Sequence, residues 1–180
     1  MTSVITVAGT SSGRAERWAA DEAVEQLYAT HYRGLVRLAV LLVRDQETAE
    51  EVVQDSFVAM HDRWRRLREP DKALAYLRQS VVNRSRSVLR HRGVQARHAP
   101  TLATGIEAPD AVGDRLRRTQ LLDALQQLPR RQREVLVLRY YVDLDEAAIA
   151  AQLGISRGAV KSHASRGAAA LRTLLESPDD

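Results

Sequence analysis

The sequence has no cysteine and no long apolar run, and each absence excludes a class of protein. Because none of the 180 residues is cysteine, disulfide bonds, thiol redox sensing and cysteine–zinc sites are excluded. The longest apolar run, 38–43, is far shorter than a membrane span. No early positive charge is followed by an apolar stretch, so no signal peptide is indicated. We therefore expect a soluble cytoplasmic protein.

Glycine and proline, which interrupt helices, are scarce over the N-terminal half of the chain. Between residues 19 and 92 only Gly34 and Pro70 occur. Apolar residues in this stretch recur every three or four positions, as on the buried faces of helices. We predict helices over 20–31, 32–43, 46–66 and 71–91, with Asp45 capping the third and Tyr28 facing the core. These four helices would share one core as an N-terminal domain, 19–92.

The segments on either side of this domain lack such a pattern. Residues 1–18 are rich in serine, threonine and glycine, which predicts a flexible tail. Residues 93–110 contain two glycines and two prolines with little apolar pattern, and a loop this long is typical of an interdomain linker. Apolar spacing then resumes and predicts a second domain over 111–176. The fold class is therefore all-α, with two small helical domains joined by a flexible linker.

The C-terminal part of the second domain has the pattern of a helix-turn-helix. Asp143 or Asp145 can cap a short helix, and Gly154 supplies the positive backbone angle that a tight turn needs. Ser156 then caps a longer helix that carries a buried apolar stripe. The opposite face of this helix is basic and polar, with no carboxylate between residues 156 and 175. The second helix of such a motif lies in the DNA major groove, so this face predicts DNA binding.

Charge is distributed unevenly although the net charge is only +4. Acidic residues gather around 47–55, whereas basic residues gather at 84–98 and 130–139, which suggests two different partners. The histidines show no metal-ligand spacing, and no phosphate-binding glycine loop or nucleophile–base pair can be assigned. The sequence therefore predicts a binding protein that is not an enzyme and that needs no cofactor or metal.

Three stretches together resemble the extracytoplasmic-function (ECF) group of bacterial sigma factors, in the sigma-70 superfamily, which direct RNA polymerase to promoters. The segment 47–64, ETAEEVVQDSFVAMHDRW, is similar to the family's acidic helix that docks on the polymerase clamp. The segment 73–92, ALAYLRQSVVNRSRSVLRHR, resembles the helix that faces the promoter's −10 element. The segment 128–172, LPRRQREVLVLRYYVDLDEAAIAAQLGISRGAVKSHASRGAAALR, resembles the domain that reads the −35 element. The resemblance covers about residues 20–175.

The resemblance implies roles for three sets of residues. Docking on the beta and beta-prime subunits of core RNA polymerase would use Glu47, Glu50, Glu51, Gln54 and Asp55. Capture of the −10 element would use Arg65, Tyr76, Asn83, Arg84, Arg86 and Arg90. Readout of the −35 element would use Ser156, Arg157, Lys161, Ser162, His163, Ser165, Arg166 and Arg172. In the last set Lys161 and Arg166 are placed for guanine edges, whereas Arg157 and His163 are better placed for phosphate.

The resemblance also implies where the protein acts and with what. Residues 19–92 would be sigma region 2, residues 111–176 would be sigma region 4, and the protein would act on promoter DNA at the nucleoid. It would not insert into a membrane, and an anti-sigma factor as an inhibitory partner is left open. One departure concerns residues 141–144, YVDL, which replace a more usual glycine-containing turn and leave the geometry of that corner open.

Alternatives remain from two other classes. A stand-alone helix-turn-helix regulator could bind duplex DNA as a dimer, with the N-terminal helices serving as a sensor or dimerisation domain. A helical RNA-modifying enzyme or nuclease is disfavoured because no acidic metal cluster or catalytic set appears. At single positions the simpler reading is structural: Tyr76 could belong to the core, Asn83 could bond its own helix, and the acidic helix face could merely be solvated.

Overall fold

The structure is a computed structural model, and it describes residues 11–64, 70–95 and 112–176. These ranges contain seven α-helices and no strand, so the all-α prediction is confirmed. The helices are α1 Ser11–Val43, α2 Gln46–Arg63, α3 Ala73–Gln95, α4 Val112–Gln127, α5 Arg130–Leu136, α6 Glu146–Leu153 and α7 Arg157–Glu176. A 3-10 turn, Pro70–Lys72, precedes α3, and a π-helical turn, Val137–Tyr141, follows α5. No helix in the described ranges combines the length and apolar character needed to span a bilayer.

The first two predicted helices form one continuous helix, α1, so the N-terminal bundle has three helices where four were predicted. Gly34 does not interrupt α1, because the burial of Leu35 and Leu38 after it and the packing of Tyr32 before it outweigh the roughly 1 kcal/mol that glycine costs within a helix. The helix begins at Ser11, so residues 11–18 are helical where a flexible tail was predicted. Residues 1–10 lie outside the described ranges.

The chain passes from α1 to α2 through two residues with non-helical backbone. Arg44 has φ of 67°, and its N–H donates to the Val40 carbonyl at 2.7 Å, which ends α1 in the way a glycine often does. Asp45 is extended and its carboxylate accepts from the Thr48 N–H at 2.9 Å. The prediction that Asp45 caps the next helix is therefore confirmed.

The core of the N-terminal bundle forms where α1, α2 and α3 face one another. Its largest fully buried side chains include Leu38, Met60 and Leu77. Tyr28 was predicted to face this core, and that prediction is wrong, because its side chain is 42% exposed. It stacks on Tyr32 at a centroid distance of 4.4 Å, and its ring meets the edge of Phe57 at 5.1 Å. Tyr28 thus covers the rim of the core rather than filling it.

The C-terminal bundle contains the predicted helix-turn-helix, formed by α6 and α7. Asp145 caps α6 by accepting from the Ala148 N–H at 2.7 Å, and Gly154 adopts φ of 63° at the corner. Ser156 caps α7 by accepting from the Ala159 N–H at 3.1 Å. These three predictions are confirmed, and they fix the angle at which α7 leaves the bundle.

The packing of α7 on α5 depends on a close approach of the two helices at Gly167. A Cβ atom added at Gly167 would lie 3.1 Å from both Gln132 Cβ and Leu136 Cδ1. Glycine therefore lets the two helix backbones come closer than any larger residue would allow. The buried residues Val160 and Ala164 continue the same face of α7.

The two bundles pack against each other. Leu35 and Leu38 of α1 belong to the same buried apolar cluster as Val135 and Leu138 of the C-terminal bundle. Polar contacts across this boundary are described below. The predicted linker, 93–110, overlaps α3 at residues 93–95, and the rest of it lies outside the described ranges.

Candidate functional site

α2 turns its carboxylates away from the bundle, because its apolar stripe is buried against α1 and α3. Glu47, Glu51, Gln54 and Asp55 are exposed, and Glu50 is half-buried. Together these five residues are called the acidic face. Its spacing follows the 3.6-residue period of the helix, so all five side chains can meet one partner surface. The structure thus brings together the residues predicted to dock on polymerase.

An apolar residue that was missed in the sequence continues the acidic face at its C-terminal end. Val58 is 62% exposed and follows Asp55 by three residues, so the two side chains are neighbours on the helix. The sequence could have indicated this exposure, since Val58 falls outside the apolar stripe of α2. An exposed apolar residue beside a carboxylate can add contact area to a charged protein-binding surface.

Two arginines predicted for the −10 element are held by carboxylates of the same chain. Arg84 Nη1 lies 3.1 Å from Asp55 Oδ2, a residue of the acidic face. Arg86 donates twice to Glu134 of α5, from Nε at 2.7 Å and from Nη2 at 3.1 Å. Its Nη1 also donates to Asn83 Oδ1 at 3.2 Å. Asn83, Arg84 and Arg86 therefore lie together on α3, as predicted, and each has an internal partner.

The remaining residues predicted for the −10 element are placed differently from one another. Tyr76 is half-buried, and its hydroxyl accepts from Arg63 Nη1 at 3.4 Å while the guanidinium lies 5.9 Å from the ring centroid. Arg90 is exposed on the outer side of α3. Arg65 lies outside the described ranges. Tyr76 thus combines a packed ring with an exposed cation beside it.

α7 presents a basic face opposite its buried stripe. Ser156, Arg157, Lys161, Ser165, Arg166 and Arg172 are exposed along it, and Ser162 is half-buried. Arg166 Nη2 donates to Ser162 Oγ at 3.0 Å, a contact between side chains one turn apart. No carboxylate occurs on α7 before Glu176, so this face keeps its positive charge.

His163 is set apart from the other residues predicted for the −35 element. It follows Val160 by three residues and precedes Gly167 by four, so it shares a row with two buried positions. The ring is half-buried, and its Nδ1 is enclosed with no hydrogen-bond partner among the described residues. Only the rest of the ring can face outward.

A carboxylate that was missed in the sequence borders the basic face. Glu146, in the first turn of α6, lies 3.7 Å from Lys161 Nζ and 3.6 Å from Arg139 Nη1. It is the acidic neighbour of a residue predicted to contact guanine. The corner before it is formed by Asp143 with φ of 58°, a left-handed conformation that aspartate tolerates better than most residues.

The boundary between the bundles is crossed by hydrogen bonds from buried polar groups. Arg133, 7% exposed, donates from Nη1 to the Leu42 carbonyl at 3.0 Å and also contacts the Gln126 side chain. The Gln126 amide donates to the same carbonyl at 3.3 Å. Burial lowers the pKa of the Arg133 guanidinium, although the charge of Glu134 opposes this.

Two further contacts join the bundles away from Arg133. Tyr141, in the π-helical turn, donates its hydroxyl to the Gly34 carbonyl at 3.0 Å, and burial raises the pKa of that hydroxyl. Arg44 forms an ion pair with Asp123 of α4. Neither contact could be read from the sequence, because each joins residues that are distant along the chain.

Comparison with known proteins gives matches for both bundles. A family model for sigma-70 region 2 matches residues 27–94, and a model for sigma-70 region 4 matches residues 118–171. The RNA polymerase sigma-E factor of Streptomyces avermitilis is 33% identical over 155 residues, which is 86% of each chain. The RNA polymerase sigma factor CarQ of Myxococcus xanthus is 33% identical over 159 residues, covering 87% of this chain and 91% of the relative.

Solved structures show the same fold. The sigma factor RpoE of Bartonella quintana, in complex with the anti-sigma factor NepR, matches with a TM-score of 0.71 and 22% identity over 86% of this chain and 98% of that one. CnrH, in complex with the cytosolic domain of CnrY, matches with a TM-score of 0.66 and 27% identity over 92% of this chain and 99% of that one. With these relatives, the chain belongs to the ECF group of sigma factors of bacterial RNA polymerase, which are transcription initiation factors.

Proposed function

We propose that this sigma factor docks on the clamp of core RNA polymerase through its acidic face, captures the −10 element with α3 and reads the −35 element with α7. The observation that carries the proposal is the placement of three surfaces on one chain. The acidic face on α2 and the basic face of α7 each lie opposite a buried stripe, and α3 carries Asn83, Arg84, Arg86 and Arg90 within about two turns between them. Polymerisation belongs to the partner enzyme in this proposal, and the sigma factor has no catalytic role.

Docking on polymerase would depend on Asp55 and its neighbours. Exposed carboxylates attract a basic partner and set the register of the complex. Val58 would add an apolar contact at the C-terminal end of the acidic face. The ion pair between Asp55 and Arg84 gives the docking surface a direct link to α3. A partner whose basic group pairs with Asp55 would release Arg84 from this ion pair.

The two promoter elements would be recognised through different kinds of contact. The −35 element is duplex, so α7 would place Lys161 and Arg166 against guanine edges in the major groove. Arg157 and Arg172 would contact phosphates and fix the register. The −10 element must be opened, so Asn83, with one donor group and one acceptor group, would bind a base edge. The arginines of α3 would follow the single-stranded backbone.

The partner and location follow from the same role. The protein would act in the cytoplasm, at the nucleoid, where promoter DNA and polymerase meet. A sigma factor of the same fold is seen bound to an anti-sigma factor, so we include an anti-sigma factor among the partners of this chain. Co-purification of the tagged chain from its own host before and after an inducing stress would test this partner.

Run-off transcription with core polymerase on genomic promoter fragments tests the whole proposal. We expect defined start sites only when the chain is present, because the sigma factor supplies the promoter contacts that core enzyme lacks. A footprint on symmetric duplex DNA without polymerase would instead favour the dimeric regulator. Metal-dependent turnover of nucleic acid would favour an enzyme, although no group of three or more metal-ligating side chains comes together in the described ranges.

A further inference from the structure

Three of the residues of α3 that would capture single-stranded DNA have partners within the free chain. Asn83 accepts from Arg86, Arg86 donates to Glu134, and Arg84 pairs with Asp55. We propose that Glu134 of the C-terminal bundle masks Arg86, so that the two bundles must separate before α3 can hold single-stranded promoter DNA. This inference rests on the proposed function of α3, and it adds a residue of region 4 that controls region 2.

The Arg86–Glu134 pair uses the donors that a DNA phosphate would need. Both oxygens of Glu134 accept from the edge of the guanidinium that includes Nε, at 2.7 and 3.1 Å. The carboxylate is 3% exposed and the arginine side chain 18%, so solvent screens the pair little. A phosphate would bind the same fork of N–H groups in the same bidentate manner. Arg86 cannot serve both anions at once.

Separation of the bundles would leave Glu134 with partners of its own. Arg131 Nη1 lies 3.1 Å from Glu134 Oε2, and Arg130 Nε lies 3.9 Å from Oε1, both within α5. Removing one member of a buried ion pair is costly mainly because it leaves the other charge uncompensated. Here the carboxylate stays paired and Arg86 alone is released. The arrangement therefore favours transfer of Arg86 from protein to DNA.

The interface between the bundles also contains a group whose hydrogen bonding would improve when the bundles separate. Arg133 is buried at this boundary, and its Nε has no hydrogen-bond partner in the part of the chain that the structure describes. A buried guanidinium with an unsatisfied donor is unfavourable compared with the same group in water. Hydration on opening would satisfy that donor, while the Leu42 carbonyl could accept from water instead. Hydration of this donor thus offsets part of the cost of exposing the apolar contacts between the bundles.

Binding of the whole chain to single-stranded DNA, without polymerase, tests whether Glu134 masks Arg86. The probe is a short fluorescent single strand of mixed sequence, titrated over a range of salt concentrations. For Glu134→Gln we expect up to about fivefold tighter binding near 0.1 M salt, with a salt slope steeper by about 0.7, as one added phosphate contact produces. A residue with only a structural role would not raise this affinity.

Two control variants define the result. Glu134→Gln combined with Arg86→Ala should lose the gain, because the released donor is gone. Glu25→Gln, which makes the same charge change at an exposed position of α1, should bind like the unaltered chain. The proposal is overturned if Glu134→Gln leaves affinity and slope unchanged, or if the gain persists without Arg86.

A cross-link provides a second test that does not alter Glu134. Because the chain has no cysteine, Arg44→Cys with Asp123→Cys introduces one reactive pair at an ion pair that joins the bundles. A cleavable bifunctional reagent would then hold the bundles together. We expect the cross-linked chain to lose run-off transcription with core polymerase and to regain it when the link is cleaved.

The cross-link separates failure of this inference from failure of the proposed function. If the cross-linked chain starts transcription as well as the cleaved one, the bundles need not separate, and the mask is refuted. If neither form nor the unaltered chain supports initiation with core polymerase, the proposed function itself fails.

Discussion

α3 and α7 both carry arginines for DNA, yet they hold them in opposite ways. On α3, Arg84 and Arg86 are paired with carboxylates at 3.1 and 2.7 Å. On α7, the side chain of Arg166 bonds only the hydroxyl of Ser162 among the described residues, and Lys161 forms a longer ion pair with Glu146 at 3.7 Å. Arg166 of the duplex-reading helix is thus presented without a carboxylate partner there, whereas Arg84 and Arg86 of the strand-capturing helix are neutralised within the chain.

This difference fits the order in which promoter DNA becomes available. Duplex DNA exists before polymerase arrives, so a helix that reads it gains nothing from being masked. Single-stranded DNA appears only during opening, and an unmasked arginine track would bind any single strand in the cell through its phosphates. The comparison therefore predicts that the effects of substitutions on α3 depend on polymerase and on separation of the bundles. The effects of substitutions on α7 should not depend on either.

Asp55→Arg should have the largest effect and would test the link between docking and α3. The substitution puts a cation in the acidic face, so we expect core polymerase binding to weaken by at least about thirtyfold. Circular dichroism should show an intact helical fold, because Asp55 is exposed. Glu25→Arg, an exposed charge reversal on α1, is the matched control. Retained polymerase binding by Asp55→Arg would remove the docking assignment.

Arg166→Ala and Arg157→Ala should separate readout from positioning on α7. Loss of Arg166 removes a guanine contact, so discrimination against altered −35 sequences should fall by about 1–3 kcal/mol. Loss of Arg157 should weaken all sequences alike and reduce the salt dependence by one phosphate contact. Competition binding of the holoenzyme with matched and altered duplexes measures both. Equal loss of discrimination in the two variants would contradict the assignment.

Gly167→Ala should show how much the stability of the protein depends on the close packing of α7 against α5. The added methyl would lie 3.1 Å from Gln132 Cβ, which is tied to the backbone of α5, so the helices must move apart. We expect the free energy of unfolding to fall by about 1–2 kcal/mol, measured by urea denaturation. Gly158→Ala is the control, because its Cβ would meet only Ser156 Oγ at 3.9 Å, and it should be neutral or stabilising. If both variants had the same free energy of unfolding, α5 would be able to move aside for the added methyl group at little cost.

Glu146→Gln should have the smallest effect and would sharpen the contrast between the two helices. Glu146 is the carboxylate beside Lys161, whose own side chain is exposed, and a pair with one exposed member at this distance contributes little. We therefore expect a gain in duplex affinity of no more than about twofold across all sequences. A gain as large as that of Glu134→Gln on single strands would mean that α7 is masked too.

Local features of the fold could be predicted from the sequence because short-range chemistry specifies them. Asp45, Asp145 and Ser156 each accept from a backbone N–H three residues later, and Gly154 adopts the positive φ of the corner. Such contacts depend on neighbouring residues alone. The same holds for the acidic face, where the helical period sorts buried from exposed positions.

Features that depend on distant residues could not be predicted. The choice of Glu134 as the partner of Arg86 joins residues 48 positions apart, and the sequence offers several other carboxylates. The continuity of α1 through Gly34 depends on burial on both sides, which only the packed bundle supplies. The left-handed Arg44 replaces the glycine that a sequence pattern would look for. The site residues themselves stay predictions from family resemblance until the experiments above are done.

The C-terminal end of α1 is completed by the other bundle. The carbonyl ends of a helix carry partial negative charge, and here one of them, at Leu42, accepts from the cationic Arg133. Both residues are buried, at 3% and 7% exposure, so water reaches this carbonyl only when the bundles part. We expect Arg133→Met to weaken the contact and to lengthen the mean distance between fluorophores on α1 and α4, which energy transfer would record. The last turn of α1 thus depends on a residue 91 positions later in the chain.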